Sequence, residues 1–294
     1  MSIDAILTQL LMGLTVGVNL VLVATGLTLV FGMMGVINFA HSALFMLGAY
    51  VGLVATTRLG SFWLGLLIAP PAIGLLGAAM ERCRFCARCG SVIPSRISCP
   101  CSSRSGSRSS SRARPRCIWG ADIVSLNKPA LLGGAVSLGR ITFPTYWLFA
   151  LVAAAVLAAA VWLVVERTSL GLAIRAATQD PTMAAVLGVN VQRLNTIVFA
   201  LGSGLAGAAG VILGTMTSLS PQMGAGIVLD AFIAIVIGGL GSFTGAIVGS
   251  LLLGQVQSFG VALLPAFHTP LVFLVMAVVL VLRPSGLFGA AERR

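Results

Sequence analysis

Residues 6–31 read ILTQLLMGLTVGVNLVLVATGLTLVF, a run of 26 residues with no charged side chain. About 20 apolar residues in a helix cross the hydrocarbon core of a bilayer, and this run alone exceeds that length. It is too long for the apolar core of a cleavable signal peptide and no basic segment precedes it, so no cleavable signal is expected. Seven more apolar segments follow near 42–57, 61–80, 144–165, 194–217, 227–240, 244–264 and 269–282. The chain of 294 residues is 58% hydrophobic and 9% charged, with a mean hydropathy of +1.05. A soluble domain carries about 25% charged residues, so a soluble globular protein is excluded. The composition predicts an all-α, polytopic transmembrane fold, a single membrane domain over residues 1–294.

Some of the segments are too short to span alone and are expected to be broken or re-entrant helices, which survive at membrane depth where protein buries them. The 35 glycines cluster, as in GSGLAGAAG (202–210) and GGLGSFTGAIVG (238–249). Small residues at that spacing let helix backbones approach closely, because packing drives helix association in lipid.

One stretch departs from this pattern. Residues 83–117 read CRFCARCGSVIPSRISCPCSSRSGSRSSSRARPRC and hold all six cysteines, eight of the eighteen Lys/Arg and none of the seven Asp/Glu. Without it the net charge of +11 falls to +3, ten Lys/Arg against seven Asp/Glu, so charge makes no case for a nucleic-acid partner. Basic residues in cytoplasmic loops fix orientation. Placing Arg82, then Arg167, Arg175 and Arg193, then Arg283, Arg293 and Arg294 inside leaves Arg58, Lys128 and Arg140 outside. That arrangement requires an odd number of crossings between Arg82 and Lys128, where only this arginine-rich stretch lies. Each arginine in a spanning helix costs roughly 2.5–3.5 kcal/mol on the insertion scale.

Three readings of the stretch compete. Cys83, Cys86 and Cys89 have C-x2-C-x2-C spacing, but neither the paired knuckles of a zinc site nor the fourth ligand of an iron–sulfur run is completed. A Ser/Arg/Pro-rich chain without acids or aliphatics builds no core and makes a disordered basic loop. The third reading is a compensated frameshift. Permitted codons for residues 98–112, shifted by two bases, spell LPLLVTLGLALILE, an apolar helix of the kind the topology needs. This one reading accounts for the cysteines, the arginines, the missing acids and the missing span, and it predicts that residues 83–117 stand in place of a membrane helix.

Outside the stretch, residues 29–52 read LVFGMMGVINFAHSALFMLGAYVG, where Asn38 and His41 interrupt an apolar run broken by Gly32 and Gly35. Polar side chains at membrane depth face a cavity or another helix; these two either brace a broken helix or touch substrate. Residues 168–191 read TSLGLAIRAATQDPTMAAVLGVNV, a polar loop with helical character. Leu172, Arg175, Ala176 and Gln179 share one helical face, and Pro181 opens a second short helix behind Asp180, a good N-cap. The loop is either a solvated connector or a docking element, with Ala184, Ala185 and Gly188 as a small, flat surface for a groove. Asp230, an acid near the outer end of its segment, is a functional candidate or the cap of a helix starting at Ala231. His41 and His268 are too few and too far apart for a metal site, and no cofactor is implied.

The motifs INFAHSALFMLGAY, LGLAIRAATQDPTMAAVLGVN and LDAFIAIVIGGLGSFTGAIVG, in that order, resemble the inner-membrane permease subunit of branched-chain amino acid ABC transporters of the high-affinity Leu/Ile/Val type. The resemblance covers residues 5–82 and 118–290. It implies a multi-pass permease of the bacterial inner membrane, paired with a second permease (itself or a paralogue), two cytoplasmic ATPase subunits and a periplasmic binding protein. By position, Arg175, Asp180, Ala184, Ala185 and Gly188 match the family's ATPase-coupling loop. Asn38 and His41 match its INFAHG signature, with Ser42 where glycine is usual, and Gly238, Gly239, Gly241 and Ser242 match its GGLGS signature. The family has an apolar helix where this chain has residues 83–117.

No GxxxxGK[ST] phosphate loop occurs, so the chain is not expected to hydrolyse ATP itself, and no nucleophile–base constellation suggests an enzyme. The expected function is translocation of an amino acid by alternating access. The pathway would run along residues 29–52 and 227–249, with free backbone groups at the glycine motifs facing the zwitterion. Two alternatives stay open: an ATP-independent channel or secondary transporter, against which stands the near absence of intramembrane acids, and a product inactive for want of one helix.

Overall fold

The computed structural model describes residues 3–35, 38–89, 132–138, 141–217, 219–220, 223–263 and 265–289. Helix α1 (Ile3–Met34) has 32 residues, about 48 Å of rise against the roughly 30 Å of a hydrocarbon core. Leu20, Val21, Leu22, Val23 and Ala24 are consecutive and all buried. A helix apolar on every face belongs inside a bundle, and α1 is the central pillar here.

Around it stand α2 (His41–Leu59), α3 (Phe62–Cys89), α4 (Thr145–Arg167), α7 (Val191–Gly214), α8 (Met223–Gly238), α9 (Phe243–Leu263) and α10 (His268–Leu282). Two short helices, α5 (Ser169–Gln179) and α6 (Pro181–Val186), connect α4 to α7. These elements reproduce the eight apolar segments of the sequence. Five of the helices, α1, α3, α4, α7 and α9, are long and apolar enough to cross a membrane. A two-stranded antiparallel hairpin, β1 (Ala135–Leu138) with β2 (Ile141–Pro144), precedes α4 and is an addition to the all-helical expectation.

The glycine cluster 202–210 lies on α7 and lets three helices approach it. A Cβ on Gly26 of α1 would meet the Gly202 carbonyl at 2.8 Å, and one on Gly202 would meet the Gly26 carbonyl at 2.7 Å. A Cβ on Gly48 of α2 would meet the Gly207 carbonyl at 2.6 Å, and one on Gly204 would meet the Pro70 carbonyl of α3 at 3.0 Å. Larger residues at these contacts would push the backbones apart, which explains small residues where lipid supplies no hydrophobic drive. The face of α4 away from the bundle carries Val152 and Val156, exposed at 60% and 61%, as a lipid-facing wall would.

Helix directions bear on the arginine-rich stretch. In α3, Ile73 lies against Gly207 and Gly77 against Ser203, so α3 runs antiparallel to α7. In α4, the Tyr146 hydroxyl donates to the Ile212 carbonyl at 2.9 Å, while Val165 packs in one cluster with Leu194, so α4 is antiparallel to α7 as well. Consecutive helices that run parallel require an odd number of crossings between them. Helix α3 continues through Cys83 to Cys89; the rest of the stretch, residues 90–117, lies outside the described residues.

One boundary corrects the sequence reading. Helix α8 starts at Met223, not near Ala231, so Asp230 sits in the middle of the helix and does not cap it.

Candidate functional site

The α4–α7 connection is a chain of capped short helices. Thr168, extended at φ −107° and ψ 161°, stops α4; its Oγ1 accepts from the Gly171 N–H at 3.3 Å and donates to the Val164 carbonyl at 2.5 Å. Arg175 donates to Glu166 Oε2 at 2.7 Å and to the Val165 carbonyl at 3.1 Å, tying α5 back onto the end of α4. Asp180 caps α6 as its position before Pro181 predicts: Oδ1 accepts from the N–H groups of Thr182 at 2.9 Å and Met183 at 3.0 Å, and from the Thr182 hydroxyl. These bonds, the Thr182 hydroxyl first, hold the Asp180 carboxyl below the usual carboxylate range. Asn190 caps α7 through the Arg193 N–H at 3.0 Å.

Helix α6 therefore has two faces. Ala184 is buried in a cluster with Leu29, Val165, Ile174 and Leu194. Met183, Val186 and Leu187 point out, exposed at 60%, 82% and 77%. Ala185 is also exposed, and Gly188 ends the element at φ +88°. The outward surface is thus a stripe of large apolar side chains, not the small, flat one expected from Ala184, Ala185 and Gly188. The signal was in the sequence: residues 183, 186 and 187 are the i, i+3, i+4 positions of a helical stripe. Contiguous exposed apolar side chains mark an interaction surface.

At the α1–α2 junction, Gly35 turns the chain at φ +62° and α2 begins at His41. The Asn38 Oδ1 accepts from the Ala40 N–H at 3.1 Å. The carbonyls of Asn38, Phe39 and Ala40 take the N–H groups of His41, Ser42 and Ala43 at 3.1, 3.2 and 3.0 Å, and Leu44 N–H also reaches Ala40. Among the described residues, the backbone N–H groups of the first turn of α2 are therefore engaged. Two side-chain nitrogens there, Asn38 Nδ2 and His41 Nε2, are buried without a hydrogen-bond partner among the described residues. His41 is 1% exposed, and buried polar groups of native proteins are nearly always paired.

The α8–α9 turn is built differently. Gly239 and Gly241 take φ +109° and +84°, and Gly238 packs against Gly245 so closely that a Cβ on either would collide with the other's carbonyl. Ser242 Oγ caps α9, accepting from the Gly245 N–H at 3.1 Å. The last carbonyls of α8 are capped from far away in sequence, Ile237 by the Leu287 N–H and Gly238 by the Phe288 N–H, both at 2.9 Å.

These residues do not form one site. Ser42 lies against Gly224 at the start of α8, while the turn starts fourteen residues on at Gly238, about 21 Å along the helix. Asp230, half-buried, stands between them. Nearer the turn, Leu27 and Phe31 of α1 with Phe232, Ile235 and Leu240 line a small apolar gap between α1 and α8.

Residues 9–93 and 107–283 match the family described as "Branched-chain amino acid transport system / permease component". The chain is 30% identical over 301 residues to the high-affinity branched-chain amino acid transport system permease protein BraD of Pseudomonas aeruginosa, across 97% of this chain and 96% of BraD. Identity to the LivH protein of the same description is 31% over 304 residues in Salmonella typhimurium and 30% over 304 in Escherichia coli K12, again across 97% of this chain and 96% of each relative. No solved structure matches the chain.

Proposed function

This chain belongs to the family of branched-chain amino acid transport permease components, and from that premise we propose that it carries leucine, isoleucine or valine across the bacterial inner membrane. It does so by alternating access, paired with a second permease, itself or a paralogue. Two cytoplasmic ATPase subunits supply the energy and a periplasmic binding protein delivers the substrate. The observation that carries this reading is α6: a capped, two-faced helix whose Ala184 anchors it in the bundle while Met183, Val186 and Leu187 face outward. An apolar helix face laid into a groove is a recurrent docking mode. Arg175 and Asp180 fix the loop that presents it, and Ala185 and Gly188 border it.

On the substrate side, the buried nitrogens of Asn38 and His41 are the groups suited to a polar ligand, while the apolar gap lined by Leu27, Phe31 and Phe232, at about 10 Å³, would have to widen to take an aliphatic side chain. Gly238, Gly239, Gly241 and Ser242 shape the pathway as a packed turn, with Asp230 between turn and junction. The test is uptake of radiolabelled leucine, isoleucine and valine by proteoliposomes holding the complete complex. ATP-dependent uptake of at least one of the three is expected; uptake that ignores ATP, or none, refutes the reading.

We further propose that residues 83–117 replace a membrane helix through a compensated frameshift. The parallel course of α3 and α4 calls for a crossing between them, and the family match is interrupted at 94–106. Resequencing the gene over codons 80–120 tests this. Two compensating indels and an apolar helix are expected; DNA that encodes the arginine-rich stretch as it stands overturns it.

A further inference from the structure

Phe243 links two parts of the chain that lie far apart in sequence. It is the first residue of α9, directly after the Ser242 cap. Its half-buried ring packs against the cluster of Leu29, Val165, Ile174 and Leu194 in which Ala184 of α6 is also buried. The inner face of the helix that shows Met183, Val186 and Leu187 to the outside therefore shares its packing with the α8–α9 turn. At its α8 end that turn has little slack. Gly239 lies against Gly289 and Ser285, and the Leu287 and Phe288 N–H groups hold the end of α8. Leu240, within the turn, lines the apolar gap together with Phe31 and Phe232. Side chains packed at the density of a protein interior pass a displacement on instead of absorbing it.

We propose that Phe243 is a positioning residue that carries movement of the α5–α6 loop into the α8–α9 turn, and so sets the apolar gap between α1 and α8. The inference rests on the reading of α6 as the element that docks the ATPase. It goes beyond that reading by assigning a single side chain, outside the loop, to the link between docking and pathway.

Hydrogen–deuterium exchange on the complete complex, with and without vanadate-trapped nucleotide, reads both ends of the link. In the unmutated complex trapping changes exchange at residues 180–188 and also at 239–242. In Phe243→Ala the change at 180–188 persists while that at 239–242 shrinks about fivefold or more, the size of a modest coupling between sites. Phe243→Leu, which refills the space, restores most of it. A response at 239–242 that survives in Phe243→Ala, or is absent without mutation, overturns the proposal. So does a fall in both responses together in Phe243→Ala, since that is what a merely structural residue gives. The docking reading is tested apart from this by Val186→Asp with Leu187→Asp. Loss of the ATPase subunit on purification supports it, and retention refutes it whatever Phe243→Ala shows.

Discussion

The α1–α2 junction and the α8–α9 turn look alike as sequence. Each is a glycine-bearing break between apolar helices, each holds a polar residue or two, and each was a natural place for free backbone groups to meet a substrate. In three dimensions they are opposites. At the turn the ends of α8 and α9 are paired and packed: the last carbonyls of α8 accept from Leu287 and Phe288, Ser242 caps α9, and Gly238 touches Gly245, while Leu240 and Gly241 at its tip are exposed. At the junction the N–H groups of the first turn of α2 are paired too, but among the described residues Asn38 Nδ2 and His41 Nε2 remain buried without a partner, and no described atom lies within 4 Å of where a Gly35 Cβ would stand. On the proposed reading, the difference separates glycine required by packing from glycine beside groups available for binding. An unpaired buried polar group lowers stability, and its persistence points to use.

The largest effect expected from this contrast is at Gly239. Valine there would have to adopt φ +109° and would meet Gly289 Cα at 2.8 Å and the Ser285 carbonyl at 3.0 Å. Strain and overpacking together cost about 3 kcal/mol or more. Gly239→Val should sharply lower the thermal unfolding midpoint in detergent and abolish transport with it. A variant that unfolds normally but fails to transport would make the turn a binding element after all.

His41→Leu and Asn38→Leu should behave in the reverse way. Removing an unpaired buried polar group is neutral or stabilising by about 1 kcal/mol, so the midpoint of His41→Leu should hold or rise, while Asn38→Leu also forfeits the Oδ1 bond from the Ala40 N–H and should lose about 1 kcal/mol. Transport should fall about tenfold, the worth of one lost hydrogen bond to a charged ligand group. If instead His41→Leu is destabilised and transport per folded molecule is unchanged, the junction is a brace like the turn and the contrast collapses.

Sequence reading saw this fold well where hydropathy speaks. The eight apolar runs became α1, α2, α3, α4 and α7 to α10, because length and apolarity are what a bilayer selects. It placed the start of α8 four residues late because Gly224, Ala225 and Gly226 add little to a hydropathy window. Gly224 nonetheless packs on the Ser42 carbonyl inside the helix. The hairpin escaped notice because AVSL and ITFP are four residues each, too short for alternation to stand out. In the α4–α7 connection the caps at Asp180 and Pro181 were legible from local chemistry. The inward direction of Ala184 was legible only through the Met183, Val186 and Leu187 stripe on the opposite face, since a single alanine carries no sign of its own. Least legible was the turn, whose partners Leu287 and Phe288 lie some 50 residues away along the chain.

A milder change sharpens the contrast from the junction side. Gly35 has φ +62° but open space around it, so Gly35→Ala meets only the left-handed backbone penalty of about 1 kcal/mol. The unfolding midpoint should drop slightly and transport should survive, where any Cβ at Gly239 is ruinous. A large loss at Gly35 would mean that the junction closes onto something more crowded during transport.

The smallest effect is at Asp180, and at neutral pH it is nil. Its hydrogen bonds with the Thr182 hydroxyl and the Met183 and Thr182 N–H groups lower its pKa. A carboxylate lowered in the folded state contributes fully above its unfolded value, and the contribution disappears only as pH falls through the lowered one. Retention of the ATPase subunit should therefore be flat through neutral and mildly acidic pH and weaken only below the ordinary aspartate range. Asp180→Asn still caps α6 as a neutral acceptor and should show no such step. If the step persists in that variant, the acid sensitivity of docking comes from another group, and the loop's rigidity does not depend on the charge of its cap.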